Sequence, residues 1–362
     1  MLYKKLDKSY LVYVIKSHRF LIVNSKIFEF LKIYFSSNGY NDFSLRTSQK
    51  RSRKIYNDIL KLVSSNNDIA NKKTKKLPLN FNNYITKSYK IKTKLIKINY
   101  QNKRLLSIVH PKFKHLETRI SKTSASNYYV SLNRNKVLLH NNKVFIGSWG
   151  KTKLHEFLGK ISFEILCSIY GKGDDEWMGT FHACAVSNKG SESIIIIGDS
   201  GSGKSTLTAL LLSKGYKLVS DDFVPILSKD KKIYHFPSGV SIKEGSLNIL
   251  SKYFTGLKNE KKYKNPVKDV EINYLNPNKY IDKKRFSYTC SKVLLVNYKG
   301  KSNTKIKAIE QDVALEKLIS QSWISDKIQN VKSFLSWVGN LKFYELTYSD
   351  NKKALEKVSE II

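Results

Sequence analysis

The pattern of polar and apolar positions in the first 63 residues indicates short strands and helices. Residues 10–15 and 20–23 predict a hairpin. Ser25 is expected to cap a helix that runs through residue 35, and residues 51–63 have apolar side chains at helical spacing. We therefore expect residues 1–63 to form a small α+β region. Residues 64–84, which begin with a polar, lysine-rich stretch, predict a solvated linker.

From residue 85 onward, the pattern alternates between strands and helices. Residues 128–131, 136–140 and 143–146 predict strands of a β-rich lead-in, and residues 154–170 predict a helix. Later strands are predicted at residues 181–186, 194–197, 216–220, 223–227, 233–236, 292–298 and 342–347. Helices are predicted at 205–214, 313–320, 327–338 and 352–358, and a long polar connection at 256–285. Residues 85–362 are therefore expected to form one α/β domain with its core at 178–300.

The composition is strongly basic, with 65 Lys+Arg against 29 Asp+Glu and a net charge of +36. Such an excess can indicate a nucleic-acid partner. The excess is almost all lysine, however, because only eight residues are arginine, and no stripe of aromatic and arginine residues stands out. We expect no specific nucleic-acid binding. The absence of a secretory leader or apolar span and the three scattered cysteines favour a cytoplasmic protein.

The main chemical signal is the segment from Gly198 to Ser205, which fits G-x-x-x-x-G-K-[ST]. Four isoleucines precede it and a helical pattern follows it. A strand, a glycine-rich turn and a helix start direct backbone N–H groups and a helix dipole at one spot, which suits a phosphate. Lys204 would reach the β- and γ-phosphates of a nucleotide, and the Ser205 hydroxyl would ligate Mg²⁺. The predicted nucleotide-binding residues are Gly198, Ser200, Gly201, Ser202, Gly203, Lys204, Ser205 and Thr206.

Two carboxylates follow the next predicted strand. Asp221 and Asp222 lie 17 and 18 residues after Lys204. At the carboxyl end of a strand beside the loop, one carboxylate could hold Mg²⁺ and the other could take a proton from an acceptor hydroxyl. His182 lies on the strand that precedes the loop strand. A lone histidine is more often structural than functional.

The segment from His182 through the loop to Asp221-Asp222 resembles the catalytic core of HPr kinase/phosphorylase and its relatives, whose fold is related to phosphoenolpyruvate carboxykinase. Those proteins share an upstream histidine, a G-x-S-G-x-G-K-S loop and a Gly-x-x-Leu-Val-x-Asp-Asp-x-Val strand, which here begins at Gly215. The resemblance covers residues 182–226. Residues 236–245 also resemble a segment of related proteins found beside peptide-modifying enzymes, and the tail after residue 292 fits more loosely.

This resemblance implies roles for the site residues. Lys204 and Ser205 would bind nucleotide and Mg²⁺, and Asp221 would be the general base. Asp222 would be a carboxylate that binds the metal or supports one of its ligands, and His182 would lie beside the phosphates. The family's downstream Glu-Val-Arg-Gly-type signature is absent, which puts the phosphorylase reaction and HPr as substrate in doubt. Lys243 and Arg285 are the candidate cations for the transferred charge.

The first 63 residues resemble the small PqqD-like domain, in which a hairpin precedes Leu-x-x-Asn and three helices. The resemblance implies a peptide-holding sheet edge. A plain α+β cap fits the same pattern equally well.

The sequence thus predicts an ATP- and Mg²⁺-dependent kinase that acts on a hydroxyl, with serine in a peptide or protein as the expected acceptor. Three alternatives stay open: a nucleotide-binding regulatory protein with little turnover, a small-molecule kinase and a nucleic-acid-dependent ATPase. Relatives of this kind are often multimeric, so a homo-oligomer is a further expectation.

Overall fold

The computed structural model describes residues 1–47, 51–64, 83–119, 126–188, 190–265 and 270–362 of the 362-residue chain. These residues form four sheets and ten α-helices, so the protein is a mixed α/β structure. None of the helices in these ranges has the length and apolar character that crossing a bilayer requires. Most of the predicted linker, residues 65–82, lies outside the described residues.

The N-terminal segment has an antiparallel sheet of order β1-β2-β3 followed by three helices. Its elements are β1 (Leu2–Lys5), β2 (Ser9–Val14), β3 (Arg19–Asn24), α1 (Ser25–Ser36), α2 (Tyr40–Thr47) and α3 (Ser52–Val63). The predicted hairpin is confirmed, since β2 pairs with β3. The expected cap at Ser25 is wrong: Asn24 Oδ1 accepts a hydrogen bond from the Ile27 amide at 2.9 Å, because the N-cap side chain must lie one residue before the first helical one.

The next segment forms a six-stranded sheet of order β6-β4-β5-β7-β8-β9. Its elements are β4 (Ile85–Ile91), β5 (Lys94–Tyr100), α4 (Lys103–Phe113), β6 (Glu117–Thr118), β7 (Ser126–Asn133), β8 (Lys136–Asn141), β9 (Val144–Trp149) and α5 (Leu154–Tyr170). The predicted helix at 154–170 is confirmed, and so are the strands in β7 and β8. Helix α4 was not predicted, although Leu105, Val109 and Phe113 are buried at spacings of four.

A ten-stranded sheet carries the rest of the chain. Eight of its strands follow the order β13-β11-β12-β19-β15-β14-β10-β21, and β22 pairs with both β19 and β20. A separate three-stranded sheet has the order β16-β18-β17. The elements are β10 (Trp177–Phe181), β11 (Cys184–Ser187), β12 (Glu192–Ile197), α6 (Lys204–Ser213), β13 (Lys217–Ser220), β14 (Val224–Leu227), β15 (Ile233–Tyr234), β16 (Val240–Lys243), α7 (Glu244–Leu250), β17 (Tyr263–Lys264), β18 (Glu271–Leu275), β19 (Ser287–Tyr298), β20 (Lys305–Ala308), α8 (Gln311–Ser320), β21 (Ser322–Ile324), α9 (Ile328–Val338), β22 (Lys342–Tyr348) and α10 (Asn351–Ser359).

Two predictions in this segment are wrong. Residues 181–186 are not one strand, because Phe181 pairs in β10 with β14 whereas Cys184 pairs in β11 with β12. The chain bends at His182 between the two strands. Residues 256–285 are not only a connection, since they contain β17, β18 and a helical turn at Leu257–Asn259. Pairing of β18 with β16 over Val240 to Lys243 supplies hydrogen bonds that this polar sequence does not reveal.

The isoleucine run of β12 is buried on both faces of the sheet. Ile195 and Ile197 pack in the same core as Leu315 and Phe334 of α8 and α9. Ile194 and Ile196 face the opposite core, which contains the leucines of α6. Alternate residues of a strand point to opposite faces, so a continuous apolar run is what a strand covered on both sides requires.

The strand order brings three chain segments to one edge of the sheet. Strand β11 is antiparallel to both of its neighbours, β12 and β13. Its first residue, Cys184, pairs with Ile196, and its second residue, Ala185, pairs with Ser220. The beginning of β11 therefore lies between the ends of β12 and β13, where Gly198 and Asp221 follow.

Candidate functional site

The loop between β12 and α6 has a backbone that glycine permits. Gly198, Gly201 and Gly203 have φ of 148°, 92° and 97°. A Cβ on Gly198 would lie 2.7 Å from the Val296 carbonyl oxygen. A Cβ on Gly203 would lie 2.6 Å from the Tyr348 hydroxyl. Positive φ and close packing both exclude larger residues at the two ends of the loop.

Helix α6 starts at this loop without a side-chain cap. Its N-cap is Gly203, and no side chain accepts a hydrogen bond there. The first turn carries no acidic residue. The amides of that turn and the positive end of the helix dipole are consequently available to an anion.

Lys204 lies against the loop that precedes it. Its Nζ donates hydrogen bonds to the carbonyl oxygens of Gly198 at 2.7 Å and Asp199 at 3.1 Å. The side chain is only 8% exposed. A positive charge is therefore held inside the curve of the loop, where it would complement an anion such as phosphate.

Asp221 is fully buried and its carboxylate is surrounded by donors. Oδ1 accepts hydrogen bonds from Ser205 Oγ and from Cys184 Sγ, each at 3.0 Å. Oδ2 accepts one from the Ser241 amide at 3.0 Å. Burial raises the pKa of Asp221, and the charge of Asp222 adds to that increase, while the three donors oppose it.

Asp222 pairs with His182 at the mouth of the site. His182 Nδ1 lies 2.8 Å from Asp222 Oδ1, and both side chains are nearly half exposed. The hydrogen bond to Asp222 and its negative charge raise the pKa of His182. Burial alone would raise the pKa of Asp222, but the hydrogen bond and charge of His182, with the charges of Lys112 and Lys204, lower it to about 2. Asp222 has a φ of 65°, a conformation that is uncommon outside glycine.

Other polar contacts hold the loop and the start of α6. Lys243 Nζ donates to Ser200 Oγ at 3.2 Å. Lys317 Nζ of α8 lies 2.9 Å from each carboxylate oxygen of Asp199. Thr206 Oγ1 and Ser246 Oγ are 2.6 Å apart. The loop is therefore tied to α8 on one side and to the β16–α7 segment on the other.

Arg285 does not lie at the loop between β12 and α6. It precedes the first residue of β19, whereas Leu295 of that strand pairs with Ile197 beside the loop. About ten residues of extended strand span roughly 30 Å, so Arg285 lies toward the opposite edge of the sheet. The structure places Lys243 at the loop and Arg285 away from it.

Three residues at the site were not found from the sequence. Cys184 and Ser241 contact the Asp221 carboxylate, and the charge of Lys112 acts on Asp222. Cys184 is two residues after His182, but only the pairing of β11 shows that it lies between the loop strand and Asp221. Ser241 and Lys112 lie on β16 and α4, which were not predicted. The apolar spacing in α4 and the resemblance over residues 236–245 were the signals available, and neither indicates a contact with Asp221 or Asp222.

The oxygen atoms around Ser205 suit a magnesium ion bound to phosphate. Ser205 Oγ and Asp221 Oδ1 are neighbouring hard ligands, and Mg²⁺ at nucleotide sites needs only one or two protein ligands in addition to phosphate and water. Within the described ranges, no group of three or more His, Cys, Asp or Glu side chains could hold a metal by itself. The residues thus fit an ion that arrives with a nucleotide.

The chain is similar to a solved structure, that of the Hpr(Ser) kinase/phosphatase from Coxiella burnetii. The match covers 50% of this chain and 94% of the Coxiella burnetii chain. The sequence identity is 10% and the TM-score is 0.24. No protein-family model and no curated protein matches the chain.

Proposed function

We propose that this protein is a kinase of the HPr-kinase-like P-loop type, which transfers the γ-phosphoryl group of ATP to a hydroxyl group, with serine of a peptide or protein as the acceptor class. The observation that carries the proposal is the meeting of Lys204, Ser205, Asp221 and the His182–Asp222 pair at one sheet edge. Glycine-rich loops of this form bind phosphate, and the two carboxylates beside the loop supply what phosphoryl transfer needs.

On the donor side, the amides of the loop and of the first turn of α6 would bind the phosphates. Lys204 would exchange its hydrogen bonds with the Gly198 and Asp199 carbonyls for phosphate oxygens. Ser205 and Asp221 would hold Mg²⁺, directly or through water. When bound, the ion neutralises charge on the β- and γ-phosphates.

On the acceptor side, we assign proton transfer to the His182–Asp222 pair and Mg²⁺ binding to Asp221. These roles are the reverse of those that the family resemblance implies. All the donors around Asp221 come from buried or half-buried protein groups, whereas the pair is open to solvent. The acceptor oxygen would form a bond to the γ-phosphorus as the bond to the β,γ-bridging oxygen breaks. ADP leaves, and the acceptor proton passes to the pair.

Two substitutions test the division of roles. Asp221→Asn should retain ATP binding without Mg²⁺ and lose the increase in affinity that Mg²⁺ produces. His182→Gln should bind MgATP normally and lose transfer. Calorimetric titration measures binding, and transfer of radiolabel from ATP to a library of serine-containing peptides measures turnover. Normal transfer by His182→Gln would refute the role of the pair.

Lys204→Met tests the donor site as a whole. We expect nucleotide affinity to fall by at least about tenfold, because an ammonium that contacts phosphate is lost. Lys214→Met, an exposed lysine at the end of the same helix, is the matched control and should bind like the wild type. Unchanged affinity in Lys204→Met would contradict the nucleotide site. Binding without detectable transfer to any acceptor would favour the regulatory alternative.

A further inference from the structure

The C-terminal end of helix α4 lies against the candidate site. The Gly239 amide donates to the Lys112 carbonyl oxygen at 2.9 Å. Gly239 follows Ser238, whose Oγ donates to the Asp221 carbonyl oxygen at 3.0 Å, and it precedes β16, which reaches the Asp221 carboxylate through Ser241. A helix of the six-stranded segment is thus joined to the segment that holds the carboxylate beside Ser205.

The side chain of Lys112 lies beside an aromatic pair that includes the residue after Asp222. It is half-buried, and its ammonium lies 5.8 Å from the centre of the Phe236 ring. Phe236 packs on Phe223 with ring centres 4.5 Å apart, and Phe223 is the residue after Asp222. Two lysine charges lower the pKa of Asp222, and they come from Lys112 and from Lys204.

The two lysines approach from different directions. Lys204 comes from the glycine-rich loop. Strand β16 begins beside Lys112 and ends at Lys243, which contacts Ser200 of that loop. Ser241, which contacts Asp221, lies between these ends. Lys112 therefore lies at the opposite end of this segment from its contact with the loop, with the residue that contacts Asp221 between them.

We propose that Lys112 is a phosphoryl-binding residue that contacts the γ-phosphoryl group from the acceptor side while Lys204 contacts it from the loop. This inference rests on the proposed kinase function. Phosphoryl transfer spreads negative charge over three equatorial oxygens, and cations on both sides stabilise it more than one does. Arg285 lies too far away for this part, whereas the charge of Lys112 acts on Asp222.

The test uses an analogue of the transferred group, since the acceptor is not identified. The affinity of the full-length protein for MgADP is measured with and without aluminium fluoride. Aluminium fluoride mimics a phosphoryl group in transfer, and a water molecule can take the position of the attacking oxygen. The wild type should bind MgADP more tightly when aluminium fluoride is present. Lys112→Met should bind MgADP alone with an affinity within about twofold of the wild type. The increase in affinity that aluminium fluoride produces should be smaller in this variant by a factor of about one hundred or more, as when one charge-stabilising donor is removed from an active site. Lys112→Arg should recover part of the gain.

Lys114→Met is the control, because Lys114 is an exposed lysine two residues further along the chain. It should show the full wild-type gain. An undiminished gain in Lys112→Met would overturn the inference and leave the proposed kinase intact. Loss of MgADP binding itself in both Lys112→Met and Lys112→Gln would also overturn it, since Lys112 would then be structural. If the wild type bound MgADP without any gain, the proposed transfer would fail together with the inference.

Discussion

Alanine at Gly203 should destabilise the protein more than alanine at Gly201, although both glycines have φ near 90°. The unfavourable backbone conformation costs an alanine about 1–2 kcal/mol at either position. At Gly201 the added methyl group would meet no atom within 4 Å. At Gly203 it would lie 2.6 Å from the Tyr348 hydroxyl and 3.3 Å from Tyr298 Cβ.

The Tyr348 side chain cannot easily move away, because it is fully buried in β22. Overpacking of this kind costs about 1–3 kcal/mol. Gly203→Ala should therefore lower the free energy of unfolding by about 2–5 kcal/mol in total, against about 1–2 kcal/mol for Gly201→Ala. Urea unfolding followed by near-ultraviolet circular dichroism measures both losses. Equal losses of unfolding free energy in Gly203→Ala and Gly201→Ala would show that the contact with Tyr348 does not add to the cost at Gly203.

A second substitution separates crowding from backbone strain. The Tyr348 hydroxyl has no hydrogen-bond partner in the described part of the chain, so Tyr348→Phe should cost little in the wild type. In the Gly203→Ala background, it removes the atom that the new methyl group meets first. Tyr348→Phe should therefore restore part of the stability lost by Gly203→Ala and none of that lost by Gly201→Ala.

Two further predictions concern the His182–Asp222 pair and a buried asparagine. The pKa of His182 is raised in the folded state, so its contribution to stability is full below the unfolded pKa of about 6.5 and is lost as pH rises through the folded pKa. The difference in unfolding free energy between wild type and His182→Gln should thus shrink as the pH rises above about 6.5, and urea unfolding at a series of pH values will show a constant difference if the pair contributes nothing. Asn330 is buried and donates to the carbonyl oxygens of Asp175 and Trp177 at 2.7 and 3.2 Å. Asn330→Ala leaves the two carbonyl oxygens without this donor and should lower the free energy of unfolding by about 1–3 kcal/mol, as measured with urea. A loss near zero would mean that water replaces the amide.

The elements that the sequence predicted well are those whose signal is local. The hairpin of β2 and β3 follows from two short apolar runs on either side of a turn, and helix α5 follows from helical spacing within one segment. Strand β12 and helix α6 flank a loop in which positive φ and close packing favour glycine at Gly198 and Gly203. The loop motif is local as well, so its residue types and their spacing are enough to predict a phosphate site at Lys204 and Ser205.

The elements that it missed depend on partners distant in the chain. His182 was placed on a continuous strand, but the chain bends there because the residues on either side join different neighbours. Strand β18 is a short strand within a largely polar stretch of the chain, and it is stabilised by pairing with β16. Helix α4 carries Pro111 in its last turn, which hides a helical pattern that tertiary packing nevertheless buries.

The sequence by itself determined the prediction of a phosphate-binding loop, because a loop of glycines, a lysine and a hydroxyl can be recognised from residue types at fixed spacing. Only the tertiary structure decided which carboxylate is buried beside Ser205 and which one meets His182 in solvent. It also decided that Cys184, Ser241 and Lys112 belong to the site and that Arg285 does not. The physical reason is that burial, charge and hydrogen bonding at Asp221 and Asp222 come from strands and a helix that meet there only after the sheets have formed.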